Sequence, residues 1–287
     1  MDRKDFLKSL PLLTLAIGTM DLNKLGAVPP SGEQSKMPVL FIGHGSPMNA
    51  IADNDFTKAL NKTGRDIKAK NMPKAILVVS AHWLTQGTYA CVSPNPKTIY
   101  DFGGFADELY QIKYHAPGAP ELAKEVARIQ PIKEDNEWGL DHGAWTILKH
   151  LFPEHDIPVF QLSIDYNKPM QYHFNLAQQL DYLRKRGVLI IGSGNIVHNL
   201  HQQFRDDPYD WNIEFDEWIR NKINNREFND IINYENMGRA AKLSVPTPDH
   251  YIPLLYCLPL AAKEEEIAYI YEGFELGIIS MRALKIG

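Results

Sequence analysis

The strongest constraint on the fold is a set of four apolar runs, three of which break off at glycine or serine with a histidine close behind. Val39-Leu40-Phe41-Ile42 ends in Gly43-His44-Gly45-Ser46-Pro47, and Ala75-Ile76-Leu77-Val78-Val79-Ser80 ends in Ala81-His82-Trp83. The run 188–191 leads through Gly192-Ser193-Gly194-Asn195 to His198, and 159–164 is the fourth. Such runs mark strands covered on both faces. Between them, segments 121–129, 143–151, 170–185 and 212–224 space their apolar residues at the helical period, with Pro117 and Pro120 suiting the first helix start. The alternation predicts an α/β fold, a single domain with a central mostly parallel sheet flanked by helices. In sheets of this kind ligands bind beyond the carboxyl ends of the strands, where these histidines fall.

Composition narrows what such a site serves. A net charge of -5 with no long basic run excludes nucleic acid as the main partner, so the ligand is expected to be small. Cys91 and Cys257 have no metal-ligand spacing and read as small buried apolar residues. Residues 1–36 read as a separate N-terminal extension or export signal, and residues 37–287 as the folded domain. The apolar stretch 10–17 is too short to span a membrane, so no stable membrane insertion is expected. Arg3-Lys4-Asp5-Phe6-Leu7-Lys8 resembles a twin-arginine signal with Lys4 in place of the second arginine. The expected location is the cytoplasm, or the periplasm if that signal works.

Of the ten histidines, position singles out a few. His44 is flanked by glycines that let the backbone approach a ligand closely, and His82 closes what reads as a neighbouring strand. His198 follows a permissive Gly-Ser-Gly-Asn segment, and His250 stands after Pro246 and Pro248, which are expected to hold its backbone extended. Asp249 is the rival ligand beside it. His142, in Leu140-Asp141-His142-Gly143, reads as the start of a helix, where the macrodipole favours a neutral imidazole able to act as base or to bond Asp141. His150, His155, His173 and His201 read as surface residues, and His115 lies in a polar turn. Imidazole ligands suit zinc, iron, copper and nickel, and two histidines with a carboxylate typify non-haem iron(II) oxygenases. A zinc hydrolase or lyase and a non-catalytic metal-binding protein are the competing functional readings. Tyr100, Phe102, Phe105 and Trp83 near the candidate site favour an aromatic ligand.

Six segments together, His44 to Met48 with Gly43, Ser80 to Trp83, Tyr100 to Phe105, Leu140 to Gly143, Gly192 to Asn199 and Pro248 to Tyr256, resemble the class III extradiol ring-cleavage dioxygenases, closest to the DOPA 4,5-dioxygenase branch. The likeness runs in order from Met37 to the end. It implies one non-haem divalent metal per chain, Fe(II) or Zn(II), held by His44, His82 and His250, where protocatechuate-cleaving relatives have a glutamate in the third place. It also implies that His198 serves as a proton carrier or fourth ligand. The partners it implies are a small aromatic diol and O₂, with His198 or His142 as base and a muconic semialdehyde as product.

Overall fold

The computed structural model describes residues 36–287; apart from Lys36, the expected N-terminal extension lies outside the described residues. Six strands, β1 (Val39–Gly43), β2 (Ala75–Ser80), β3 (Val159–Gln161), β4 (Val188–Gly194), β5 (Ile267–Tyr271) and β6 (Ala283–Ile286), form one sheet in the order β3-β2-β4-β1-β6-β5. β3, β2, β4 and β1 run parallel, and β6 is antiparallel to both β1 and β5. The architecture is the expected α/β arrangement with a mostly parallel centre.

The apolar runs become strands because both sheet faces are buried. Val39, Phe41, Leu77, Val79 and Ile190 enter one core, while Leu40, Ile42, Ile76, Val78 and Ile191 enter the other, following the two-residue period of a strand. Each large aliphatic side chain so buried contributes about 1.5–3 kcal/mol, which leaves no room for a polar residue in these positions. Helices α1 (Asp55–Lys70) and α3 (His142–Leu151) cover the second core through Phe56, Leu60, Trp145 and Leu148. Helices α2 (Pro120–Ala127), α4 (Met170–Gln178), α5 (Asp181–Lys185) and α6 (Asp210–Asn224) cover the first.

Two expectations need correction. The helix expected over 170–185 is broken into α4 and α5, where Gln179 and Leu180 donate back to Leu176 and Ala177. The run 159–164 divides as well. β3 stops at Gln161, whose buried side chain donates to the Gly139 carbonyl at 2.7 Å, and Ile164–Asp165 pairs with Leu84–Thr85 in a separate small sheet.

What matters for function is the register at the carboxyl ends. Gly43 pairs with Gly194 and Ser80 with Ser193, so β1, β4 and β2 finish on a common line. The chain continues one step past it on each side, with His44 N donating to Gly194 O at 3.1 Å and Ala81 N to Ser193 O at 2.9 Å. His44 and His82 therefore emerge on the two strands that flank β4. No described helix is long and apolar enough to cross a membrane.

Candidate active site

His44 leans over β4. Its Nδ1 lies 3.0 Å from Ser193 Oγ, and that hydroxyl donates its proton to the Gly143 carbonyl at 2.6 Å. The serine can then only accept from His44, so Nδ1 carries the hydrogen and Nε2 is bare. His82 faces it from β2, with Nε2 3.1 Å from His44 Nε2 and Nδ1 3.3 Å from Asp101 Oδ2. The third imidazole, His250, sits in a turn rather than the extended backbone expected, since Tyr251 N and Ile252 N both donate to Pro248 O. That turn leads into the short helix Ile252–Leu255.

Glycine is required where this turn meets the sheet. A Cβ at Gly194 would overlap the His250 carbonyl, which accepts the Asn195 N–H at 2.8 Å. The glycines around His44 act differently from expectation. Gly43 closes against the backbone of Ser280 and Met281, and Gly45, with φ of 61°, closes against Glu275 and Met281. Their close approaches are to the chain itself.

One ring nitrogen each from His44, His82 and His250 gather within 4.8 Å of one another. Burial, reinforced by the neighbouring imidazoles, holds the His44 and His82 pKa values well below the ordinary histidine range, so both are neutral at neutral pH. The bare His44 Nε2 faces His82 Nε2 at 3.1 Å, two ring nitrogens aimed at a common point where a cation could accept both. Nitrogens at about 2.1 Å from one ion lie up to about 4.2 Å apart; the His44–His82 pair at 3.1 Å meets that limit, and a set gathered within 4.8 Å need close by only about 0.6 Å at most, so the donors fit a divalent metal. Asp249, the rival ligand of the sequence reading, bonds His250 Nδ1, so its carboxylate is engaged in orienting that ring. Burial pushes the Asp249 carboxyl up, but its bonds to His250 outweigh that and hold it low.

His198 is not in that gathering. Its ring stacks on His250 with centroids 3.6 Å apart, and burial, then the His250 charge, push its pKa down to about 3. His142 opens α3, as expected, but its partner differs. Its Nδ1 lies 3.0 Å from Asp101 Oδ2 and its backbone N–H donates to Asp101 Oδ1 at 2.8 Å. Asp141 instead caps the helix at Ala144 N and accepts from Ser80 Oγ at 2.6 Å and Gln161 Nε2 at 3.0 Å. Sequence reasoning gave Asp101 no role, because one of its partners lies 41 positions away and nothing local marks it.

Phe102 meets His142 edge-on at 5.6 Å and packs with Phe105, Tyr100 and Tyr110. Trp83, expected among them, stacks on Trp138. His155 is half-buried, and His115 and His201 are exposed. His150 and His173 are buried rather than on the surface, bonded to Asn49 O at 2.7 Å and to Tyr256 Oη at 3.1 Å. Both cysteines are buried and free, as expected.

A three-imidazole set at the carboxyl edge of a mostly parallel sheet, with further histidines and an aromatic cluster beside it, defines a metal-dependent α/β enzyme. Comparison with known proteins makes the class specific. Residues 37–272 match the family described as the catalytic LigB subunit of aromatic ring-opening dioxygenase. The chain is 42% identical over 263 residues to a 4,5-DOPA dioxygenase extradiol of Escherichia coli (strain K12), covering 88% of this chain and 96% of the relative. It is 37% identical over 261 residues to the protein of the same name from Beta vulgaris, covering 88% and 97%. The crystal structure of an uncharacterized protein from Escherichia coli K12 superimposes with a TM-score of 0.76 at 39% identity, covering 88% of this chain and 100% of that one. The chain belongs to this aromatic ring-opening dioxygenase family, and it is an extradiol ring-cleaving dioxygenase.

Proposed function

We propose that the protein opens the ring of a DOPA-like catechol beside its two hydroxyls, inserting both atoms of O₂ to give a muconic semialdehyde. The observation that carries this reading is the convergence of His44, His82 and His250 within 4.8 Å, with His142 and His198 beside them. The DOPA-like substrate is supported by relatives of that name that align over 88% of the chain.

In this reading His44, His82 and His250 hold one iron(II) per chain. Iron is favoured over zinc because zinc has no redox chemistry with which to engage O₂. The bound ion supplies Lewis acidity toward the catechol oxygens and a place for O₂ next to the substrate. The remaining work falls to side chains. A catechol must shed protons to chelate, and His142 and His198 are placed to take them. His198, with its pKa near 3, is neutral at neutral pH, as a base must be before the reaction. The edges and faces of Phe102, Phe105 and Tyr110 offer packing for an aromatic ring.

The test is anaerobic loading with iron(II), followed by L-DOPA in air. One O₂ consumed per substrate and a yellow semialdehyde absorbance are expected. Absence of oxygen uptake with L-DOPA, catechol and protocatechuate alike overturns the proposal. Turnover under nitrogen with zinc would instead establish a hydrolase or lyase.

A further inference from the structure

Asp101 lies at the base of the loop that carries Phe102 and Phe105, and its side chain is 19% exposed. Its two oxygens make three contacts. Oδ1 accepts the backbone N–H of His142 at 2.8 Å, while Oδ2 lies 3.0 Å from His142 Nδ1 and 3.3 Å from His82 Nδ1. The two rings are themselves in contact, with centroids 3.9 Å apart. Oδ2 accepts the hydrogen bond of His142 Nδ1, so that nitrogen carries the hydrogen; His82 Nδ1 lies at ion-pair distance from the same oxygen rather than bonded to it, and the carboxylate charge favours a hydrogen over a bare lone pair on that nitrogen too. Each ring is then left with a bare Nε2. For His82 that nitrogen is the one facing His44 Nε2 at 3.1 Å.

We propose that Asp101 is the positioning residue of the site: one carboxylate locks His82 and His142 into the same tautomer, so that His82 offers Nε2 to the metal and His142 keeps Nε2 free as a base. This rests on the ligand set given above. The donor atoms of His82, Asp101 and His142 are also within 4.8 Å of one another, the spacing of a second metal group. The hydrogen bonds of Asp101 to His142 and its ion-pair contact with His82 account for that closeness without one, because Oδ1 is already committed to the α3 backbone. A ligating histidine that gives its other N–H to a carboxylate is a general device for fixing ring orientation and raising ligand basicity. Here the same carboxylate extends it to a histidine that is not a ligand.

The arrangement separates positioning from simple helix capping. In Asp101→Asn the amide oxygen can still accept the His142 backbone N–H, so the cap survives. The amide NH₂ would then point at both Nδ1 atoms and force the hydrogens onto Nε2, where they block the metal from His82 and the proton from His142. The experiment uses the full chain with ¹⁵N-labelled histidine. Long-range proton–nitrogen spectra of the metal-free protein should show Nδ1–H on His82 and His142, and Nε2–H on both in Asp101→Asn. Cobalt(II) titration followed by visible absorption should give one ion per chain, with affinity about 10- to 100-fold weaker in Asp101→Asn. Unchanged tautomers, unchanged affinity, or two cobalt ions per chain in the parent protein would overturn the proposal. If Asp101→Asn fails to fold, the parent spectrum alone decides, since Nε2–H on either ring is the refuting result. His44→Ala serves as the control for the ligand set. Parent-like cobalt affinity there sinks that set, while the tautomer spectrum still decides the role of Asp101.

Discussion

The ring of His198 lies flat on the ring of His250, with centroids 3.6 Å apart and planes 4° from parallel. Stacked rings hold their ring-nitrogen lone pairs in separate parallel planes, so His250 would hold a metal without His198 joining it, leaving His198 free to move a proton. This separates their roles. His250→Ala is expected to lose bound metal. His198→Ala should retain metal and lose about 10²- to 10⁴-fold in turnover, the usual worth of a positioned acid or base. Metal content after gel filtration, together with oxygen uptake, distinguishes the two. Equal metal loss in both variants would return His198 to the ligand set.

Gly194 is where the sheet touches the His250 turn, and no Cβ fits between its Cα and that carbonyl. Gly194→Ala should displace the turn and carry His250 out of register with His44 and His82. Backbone shifts of this kind cost roughly 1–3 kcal/mol of stability. The metal affinity should suffer more, because three donors must converge on one point. Cobalt titration beside urea unfolding reads both. A variant with parent-like metal affinity would show that the turn tolerates the shift.

The four parallel strands were legible because a strand buried on both faces is mostly apolar, as in Ile76 to Val79 and Val188 to Ile191, with the buried polar exceptions Ser80, Gln161 and Ser193 confined to the carboxyl ends. β5 was not, since it is an edge strand whose five residues are all only half-buried. β6 is four residues long with Lys285 inside it. Helix α1 hid behind its polar face and Gly64, which belongs there because it packs directly against the Leu151 backbone. Its start did leave a trace, the reciprocal Asn54 and Thr57 capping box. At the site, His44, His82 and His142 could be read from strand and helix ends. Asp101 could not, because its meaning lies in contacts made only after folding.

Arg282 and Asp216 form a buried ion pair that fastens α6 to the start of β6. Their side chains are 5% and 4% exposed, and Ser280 Oγ adds a bond to Asp216 at 2.6 Å. Arg282→Met would strand the Asp216 carboxylate without its partner. The expected loss is about 3–5 kcal/mol, the cost of an uncompensated buried charge. Pairing it with Asp216→Leu should recover much of that loss, because no buried charge is then left behind; Glu272, the other carboxylate on Arg282, is exposed and keeps Arg220 as a partner. Urea unfolding of the single and double variants tests the point, and a single variant within 1 kcal/mol of the parent, on the order of a surface pair, would refute it.

His173 supplies a pH effect separable from the metal site. It is fully buried on α4 against Tyr256, and burial lowers its pKa to about 4 despite the opposing charge of Asp165. In the unfolded chain the same group titrates at about 6.5. Between those values the unfolded state binds the extra proton, so stability is intact above the unfolded value and is lost as pH falls through this window toward 4. Going from pH 7 to pH 5, this residue alone should remove roughly 2 kcal/mol. His44, His82 and His198 shift in the same direction, so the metal-free protein should show a steeper acid loss than one histidine gives. His173→Gln, studied without metal, should flatten the curve by the His173 share while leaving the contribution of the site histidines. Urea unfolding at pH 7, 6 and 5 measures the difference, and parallel curves for variant and parent would mean that His173 is protonated alike in both states.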